Sequence, residues 1–247
     1  MIKIDMSKGA AAVPKILQDI ERKQMPFILA VTATRLAQRV KAGELKLMRS
    51  RLDRPTPTTL NSLFIRTATK ARPEATVYFK DAWTSGIPAD AYLQQVVRGG
   101  ARPHKRFEKA LIARGLMKSG QFAIPNADLL NQYGNVSRGT MSKILSGLGA
   151  AETAGGYQSN ATGSKRSKRK GNAQRYFAGA VDGAAGVWER KATAFGEGVR
   201  PVFLFSDGAP RYRTVFPFFK VAENIVKANH AREFVQAFTE ATASARP

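Results

Sequence analysis

The chain has 247 residues, and its 40 Lys and Arg against 18 Asp and Glu give a formal net charge of +22. The absence of cysteine and the presence of only two histidines exclude disulfides, cysteine-ligated zinc, iron–sulfur clusters and thiol nucleophiles. Because so dense a positive charge opposes the compact state, we expect a polyanion or an acidic protein as partner, with nucleic acid first among the candidates.

The first region, residues 1–52, is predicted to be helical. Pro14 and Pro26 suit the first turn of a helix, so we expect a short helix over residues 14–24 and a longer one that starts near Met25. The longer helix carries an apolar stripe, which predicts core packing, and a basic face that contacts phosphates or is solvated. The stripe consists of Leu29, Ala33, Leu36, Val40 and Leu47.

A hairpin is predicted after this helical region. Thr56 suits the N-cap of a short turn that begins at Pro57. Residues 63–69 and 75–81 are rich in β-branched and aromatic side chains, and the five residues between them are a hairpin-sized connection. We therefore expect two antiparallel strands here.

The middle of the chain, residues 86–150, is predicted to be a helical insertion. The helical period returns at Pro88, a second helix over residues 103–114 ends at Gly115, and a third runs from an N-cap at Ser137 to Gly149. Residues 151–174 show no apolar periodicity and hold many Gly, Ser, Lys and Arg residues. This composition predicts a flexible basic linker.

The last third predicts four more strands, at residues 175–178, 187–191, 201–206 and 212–216, and a closing helix over residues 217–245. We expect residues 53–85 and 175–247 to share one core. The predicted fold class is therefore α+β. It has N-terminal helices, a small antiparallel sheet or sandwich interrupted by a helical and basic-loop insertion, and a long C-terminal helix.

The sequence offers no catalytic, cofactor-binding or metal-binding motif. The glycines of the segment 134–139 have the spacing of a phosphate loop, but Thr140 stands where the lysine must be. The acidic residues form no pair that would seat magnesium or iron. We therefore expect no enzyme activity and no cofactor. Since neither an apolar leader nor a run of ~18 apolar residues is present, we also expect a soluble protein without membrane contact.

Two basic clusters are predicted to contact nucleic acid or an acidic partner through phosphates or carboxylates. The first consists of Lys165, Arg166, Lys168, Arg169 and Lys170, and the second of Arg98, Arg102, Lys105 and Arg106. For both clusters the alternative is a solvated loop, because charge alone does not distinguish the two. Arg211-Tyr-Arg213 interleaves cations with an aromatic ring, but strand alternation alone gives the same pattern.

Three stretches together resemble a family of tailed-bacteriophage and prophage proteins. The first is Asp53-Arg-Pro-Thr-Pro-Thr-Thr-Leu-Asn-Ser-Leu with Thr67-Ala-Thr-Lys and Phe79-Lys-Asp after it; the others are Tyr133-Gly-Asn-Val-Ser-Arg-Gly and Ala209-Pro-Arg-Tyr-Arg. The layout of a basic N-terminal helical region, a Thr-Lys-ended strand and a hairpin is similar to that of the minor tail protein gpZ, a tail-completion factor. The closing helix is similar to that of small neck proteins of the head–tail connector.

The resemblance implies a virion structural protein at the head–tail junction or upper tail, assembled in the bacterial host cytoplasm as a multi-copy ring. The implied partners are portal, adaptor or tail proteins and double-stranded DNA. We expect the two long helices to supply subunit contacts through Leu29, Leu36, Val40, Ile225, Phe234 and Phe238. The alternative is a free nucleic-acid-binding protein for phage DNA packaging or regulation.

Overall fold

The structure is a computed structural model that describes residues 24–81, 87–151, 160–194 and 196–244. The chain divides into two units: the first unit comprises residues 1–98 and 214–247, and the second unit comprises residues 99–213. Helices and antiparallel strands are both present, so the α+β prediction is confirmed. The short helix predicted at residues 14–24 lies outside the described residues, except for Gln24.

Two long helices form one side of the first unit. Helix α1, Met25–Arg51, packs against the C-terminal helix α8, Phe218–Ser244. Ile28, Ala237 and Ala241 are buried between them. A methyl group at Gly43 would lie 2.4 Å from Ile225 Cδ1, so this glycine permits the close approach of the two helices. The starts predicted for both helices are confirmed.

The rest of the first unit is a hairpin with two further helices. Thr56 caps helix α2, Pro57–Leu60, and its hydroxyl accepts a hydrogen bond from the Thr59 N–H at 3.1 Å. Strands β1, Leu63–Arg66, and β2, Thr76–Phe79, pair antiparallel as predicted, and helix α3, Ala89–Arg98, follows. Their apolar side chains form a core with the start of α8 and its preceding turn. That core comprises Met48, Leu63, Phe79, Ala89, Leu93, Phe216 and Phe218.

The second unit is built on a four-stranded antiparallel sheet in the order β4-β7-β6-β5. The strands are β4, Gln121–Pro125; β5, Tyr176–Val181; β6, Ala184–Thr193; and β7, Gly196–Asp207. Helices α4, Arg106–Ala113, and α5, Arg138–Gly147, contribute Leu111 and Ile144 to a core that includes Val187 and Phe203. A short pair, β3, Gly100–Ala101, with β8, Arg211–Tyr212, joins the ends of the unit.

Helix α5 begins at the predicted cap. The Ser137 hydroxyl accepts a hydrogen bond from the Thr140 N–H at 3.1 Å. We expect Ser137→Ala to lower the free energy of unfolding of the second unit by about 1 kcal/mol, since one backbone donor loses its acceptor. The exposed Ser142, inside the same helix, is the matched control, and Ser142→Ala should change stability by less than about 0.5 kcal/mol in urea unfolding. Equal losses from both variants would contradict the capping role.

Two predictions about topology were wrong. The strands on either side of the basic segment do not form one sheet, because β1 and β2 pair only with each other in the described residues, whereas β5, β6 and β7 belong to the four-stranded sheet that β4 completes. Residues 53–85 therefore share a core with the end of the chain, residues 214–247, but not with strands β5 to β7, which belong to the second unit. The predicted helical insertion, residues 86–150, is also divided, because its first helix belongs to the first unit and its remainder belongs to the second.

The predicted flexible linker is partly helical. Within residues 151–174, the structure describes residue 151 and residues 160–174. The second of these segments forms helix α6, Lys165–Lys170, and the start of helix α7, Asn172–Arg175, which leads directly into β5. Gly171 joins the two helices with a φ of 65°, a left-handed conformation that favours glycine. A helix cap and a glycine, rather than apolar periodicity, define these two helices.

Candidate polyanion-binding surface

The first basic cluster forms the exposed surface of helix α6. The Ser164 hydroxyl caps this helix by accepting a hydrogen bond from the Ser167 N–H at 3.3 Å. All five cations of the cluster are exposed: Lys165, Arg166, Lys168, Arg169 and Lys170. The helix therefore presents a dense set of cations to solvent from a folded backbone.

These five cations have no acidic neighbour within salt-bridge distance in the part of the chain that the structure describes. The excess of cations over carboxylates extends over the whole second unit. Residues 99–213 hold 19 Lys and Arg against 7 Asp and Glu, a formal charge of +12. Because like charges repel one another, a polyanion that neutralises this surface is favoured electrostatically.

Two further arginines of the second unit are held by a buried carboxylate. Glu189 on β6 is 3% exposed, and its two oxygens accept hydrogen bonds from Arg175 Nε and, at 2.6 Å, from Arg200 Nε. Burial alone would raise the pKa of Glu189, but the hydrogen bonds from Arg200 and Arg175 outweigh it and hold the pKa below its ordinary value. The carboxylate is therefore ionised, and it fixes both arginines through Nε alone.

The sequence reading did not identify this arrangement. Arg175 and Glu189 are 14 residues apart, and only the pairing of Tyr176 with Glu189 brings them together. One sequence signal bears on the ion pairs of Glu189. The alternation of side chains along β6 places Val187 and Glu189 on the same side of the strand. A charged residue next to buried positions of this kind indicates a partner of opposite charge.

The second basic cluster is divided between the two units. Arg98 ends helix α3 in the first unit and is exposed, whereas the other three residues belong to the second unit. Arg102 is 8% exposed and forms a two-pronged ion pair with Glu108, with both nitrogen–oxygen distances at 2.6 Å. The prediction that Arg102 contacts an external anion was therefore wrong, because its guanidinium is already paired. Lys105 and Arg106 are exposed at the start of α4.

The residues predicted for subunit contacts lie mainly within the first unit. Leu36 and Val40 are 8% and 4% exposed, so their assignment to a subunit interface is corrected to the core of their own unit. Phe234 and Phe238 pack partly buried against the core of α1 and α8, and Ile225 approaches Gly43. Leu29, at 40% exposed, is the residue of this set that the structure leaves open to a neighbour.

Both histidines have contacts or exposure that the structure describes. The ring of His104 stacks on Phe122 at 4.3 Å between centroids, and its Nε2 lies 2.9 Å from the Gln121 carbonyl oxygen. His230 is exposed on α8. Across the described residues, no three His, Asp or Glu side chains come together as metal ligands do. The same part of the chain contains no helix both long enough and apolar enough to cross a bilayer.

Comparisons with protein-family models, with curated proteins and with solved structures gave no match to this chain. A proposal for its function therefore depends on the chemistry of its own residues. The strongest such feature is the set of exposed cations on α6, together with the arginines around Glu189.

Proposed function

We propose that this chain is a non-enzymatic structural protein of a tailed-bacteriophage virion that binds double-stranded DNA through the basic surface of its second unit. Its station is the head–tail junction or the upper tail, where it assembles with portal, adaptor or tail proteins as a multi-copy ring. The observation that carries the DNA contact is the exposure of five cations on α6 with no carboxylate partner in the described residues.

The physical basis is the release of counterions from DNA. Each phosphate that a Lys or Arg neutralises releases condensed cations, so the affinity arises without reading the base sequence. A virion protein that contacts the packaged DNA at any sequence needs phosphate contacts of this kind. Closed symmetry then multiplies a weak contact, because several copies present the same surface around one axis.

The second candidate function is a free nucleic-acid-binding protein for phage DNA packaging or regulation. The same exposed cations favour it, because they bind DNA whether or not the chain enters a particle. Incorporation into particles separates the two candidates. Mass spectrometry of purified virions from the encoding phage should detect the chain, and particles of a deletion mutant should lack a complete neck or tail in electron micrographs. Normal particles without the chain would contradict the structural role and favour the free DNA-binding protein.

The DNA contact has its own test. We expect changing Lys168, Arg169 and Lys170 together to Gln to weaken binding to a fluorescent 30-base-pair duplex by about a hundredfold at roughly 0.1 M salt. The slope of log affinity against log salt should become shallower by about 3, since three phosphate contacts are lost. Fluorescence anisotropy over a range of KCl concentrations measures both quantities.

The matched control removes three exposed cations from the first unit. Lys46, Arg49 and Arg51 lie on α1, and changing them to Gln lowers the net charge by the same amount. If the contact is local, this control should weaken binding much less than the α6 variant. Equal effects would show that net charge alone drives binding, and they would contradict a DNA-binding surface on α6.

A further inference from the structure

A polar cleft of about 710 Å³ lies between helix α7 and the hairpin of β6 and β7. Among the described residues, the charged side chains that line it are Arg175, Arg190 and Lys191 and the carboxylate of Glu197. Gly171, where helix α6 ends, also lines it. The cleft is thus continuous with the cationic surface of α6, although the two arise from different segments.

The cleft exists because β6 extends beyond the end of its pairing with β5. Strand β5 pairs with β6 only as far as Glu189, whereas β7 continues along β6 to Thr193. Beyond Glu189, β6 and β7 therefore form a two-stranded ribbon with one side open. Helix α7 immediately precedes β5 and lies along this open side, so it forms the second wall.

The two arginines of the cleft are held in place before any ligand arrives. Arg190 Nη1 donates a hydrogen bond to the Gln174 carbonyl at 2.8 Å, and its guanidinium carbon lies 4.5 Å from the centre of the Phe177 ring. Arg175 is fixed through Nε by the buried carboxylate of Glu189. A guanidinium has five N–H donors, so each arginine keeps donors that these contacts do not use. Preordering lowers the entropy cost of binding an anion.

We infer that this cleft binds a backbone phosphate of double-stranded DNA, with Arg175, Arg190 and Lys191 as its donors. Planar guanidinium groups match phosphate oxygens, and the ammonium of Lys191 adds a compact point charge. A polymer of phosphates is favoured over a single small anion because the cationic surface continues from Gly171 onto α6. Glu189 is a positioning residue, and Glu197 weakens phosphate binding by repulsion. This inference rests on the proposed DNA contact and assigns residues that it did not include.

The test uses the full chain and a fluorescent 30-base-pair duplex. We expect the double variant Arg190→Gln and Lys191→Gln to weaken binding about tenfold at roughly 0.1 M salt and to reduce the salt slope by about 2. Glu197→Gln should strengthen binding, because it removes the carboxylate that lines the cleft among the described residues. A general effect of charge is controlled by changing Lys118 and Arg138 to Gln, two exposed cations of the same unit that do not line the cleft.

The outcomes separate this inference from the proposed function. If the α6 variant loses binding while the cleft variant matches the control pair, the cleft is not a phosphate site and the DNA contact still stands. If neither variant changes binding, both proposals fail. If the cleft variant loses binding to polyglutamate but keeps its affinity for the duplex, the cleft takes an acidic protein and the inference is overturned. The fluorescence of Trp188, which is 7% exposed in the same unit, checks in a Trp83→Phe background that each variant is folded.

Discussion

Arg102→Ala is expected to lower the free energy of unfolding of the second unit by about 3–5 kcal/mol, because it leaves a buried carboxylate without its counter-charge. Glu108 is 1% exposed and forms two hydrogen bonds of 2.6 Å with the Arg102 guanidinium. Its oxygens also accept the backbone N–H groups of Lys105, at 2.6 Å, and Ala123, at 2.8 Å. One carboxylate thus joins the start of α4 to the edge strand β4.

The size of this effect follows from what remains after the substitution. Alanine removes the guanidinium but leaves Glu108 buried, and desolvation of an unpaired carboxylate is costly. The double variant Arg102→Met and Glu108→Met separates the ion pair from the backbone contacts. It removes both charges, yet the Lys105 and Ala123 amides lose their acceptor, so we expect a residual loss of about 1–3 kcal/mol from the buried Ala123 amide.

The measurement needs a signal from the second unit alone. The chain has two tryptophans, Trp83 and Trp188, so Trp83→Phe leaves Trp188 as the reporter of the second unit during urea unfolding. Arg138→Ala is the control, since Arg138 is exposed, and it should change stability by less than about 0.5 kcal/mol. A loss below about 1 kcal/mol for Arg102→Ala would show that the pair does not support β4.

The pH dependence of the pair has a definite sign. Burial alone would raise the pKa of Glu108, but the hydrogen bonds from Arg102, Lys105 and Ala123 lower it below the ordinary 4.5. Since the folded-state pKa is the lower one, the stabilisation is present above pH 4.5 and is lost as the pH falls through the folded-state pKa. Arg102→Ala should therefore make the acid loss of stability shallower.

Helix starts and the first hairpin could be predicted from the sequence, because caps and β-branched runs act on neighbouring residues. Thr56 and Ser137 cap their helices as predicted, and the hairpin of β1 and β2 followed from its β-branched residues. The sheet of the second unit could not be predicted in the same way. Phe122 pairs with Ser206 across 84 positions of sequence, and no local propensity specifies that partner.

The candidate site was predictable in composition but not in geometry. The five cations of α6 stood out in the sequence, but their helix did not, because it has no apolar periodicity and a serine cap alone does not distinguish a short helix from a polar linker. Arg102 was misread as an exposed cation because a positive charge in a loop gives no sign of burial. Its partner lies six residues away, and Lys105 with Glu108 has the spacing of a capping box. Arg190 and Lys191 were not predicted as binding residues, because two cations on a predicted strand do not indicate which other segments lie beside them.

Glu44 is expected to make the first unit less stable as the pH rises, which is the reverse of the usual behaviour of a carboxylate. It lies on α1 four residues after Val40 and four before Met48, and both of these are buried. Glu44 is itself 0% exposed, and neither carboxylate oxygen has a hydrogen-bond partner among the residues that the structure describes. Burial raises the pKa of Glu44 from 4.5 to about 7.

The sign follows from proton linkage. In the folded state Glu44 keeps its proton to a higher pH than in the unfolded chain, so stability is highest below pH 4.5 and declines as the pH rises through about 7. At pH 8.5 the carboxylate has to be ionised inside the core. A shift of this size corresponds to a destabilisation of about 3 kcal/mol at that pH.

Two substitutions should remove this penalty. Glu44→Gln keeps the size of the side chain without a titratable group, and Glu44→Met also removes the buried polar atoms. We expect Glu44→Met to stabilise the first unit by about 3 kcal/mol at pH 8.5 relative to the native chain, and by much less at pH 5. Hydrogen exchange of the α1 amides, measured at both pH values and corrected for intrinsic exchange, reports on this unit directly.

The control carboxylate is Glu223, which is exposed on α8 beside Lys227. Glu223→Gln should leave the pH profile of α1 unchanged, because exposed ion pairs contribute about 0–1 kcal/mol. If Glu44→Met and Glu44→Gln are as sensitive to alkaline pH as the native chain, the carboxylate has found a partner or reached solvent, and the burial argument fails. If both variants flatten the profile, the first unit is held together by a helix pair that is most stable while Glu44 is protonated.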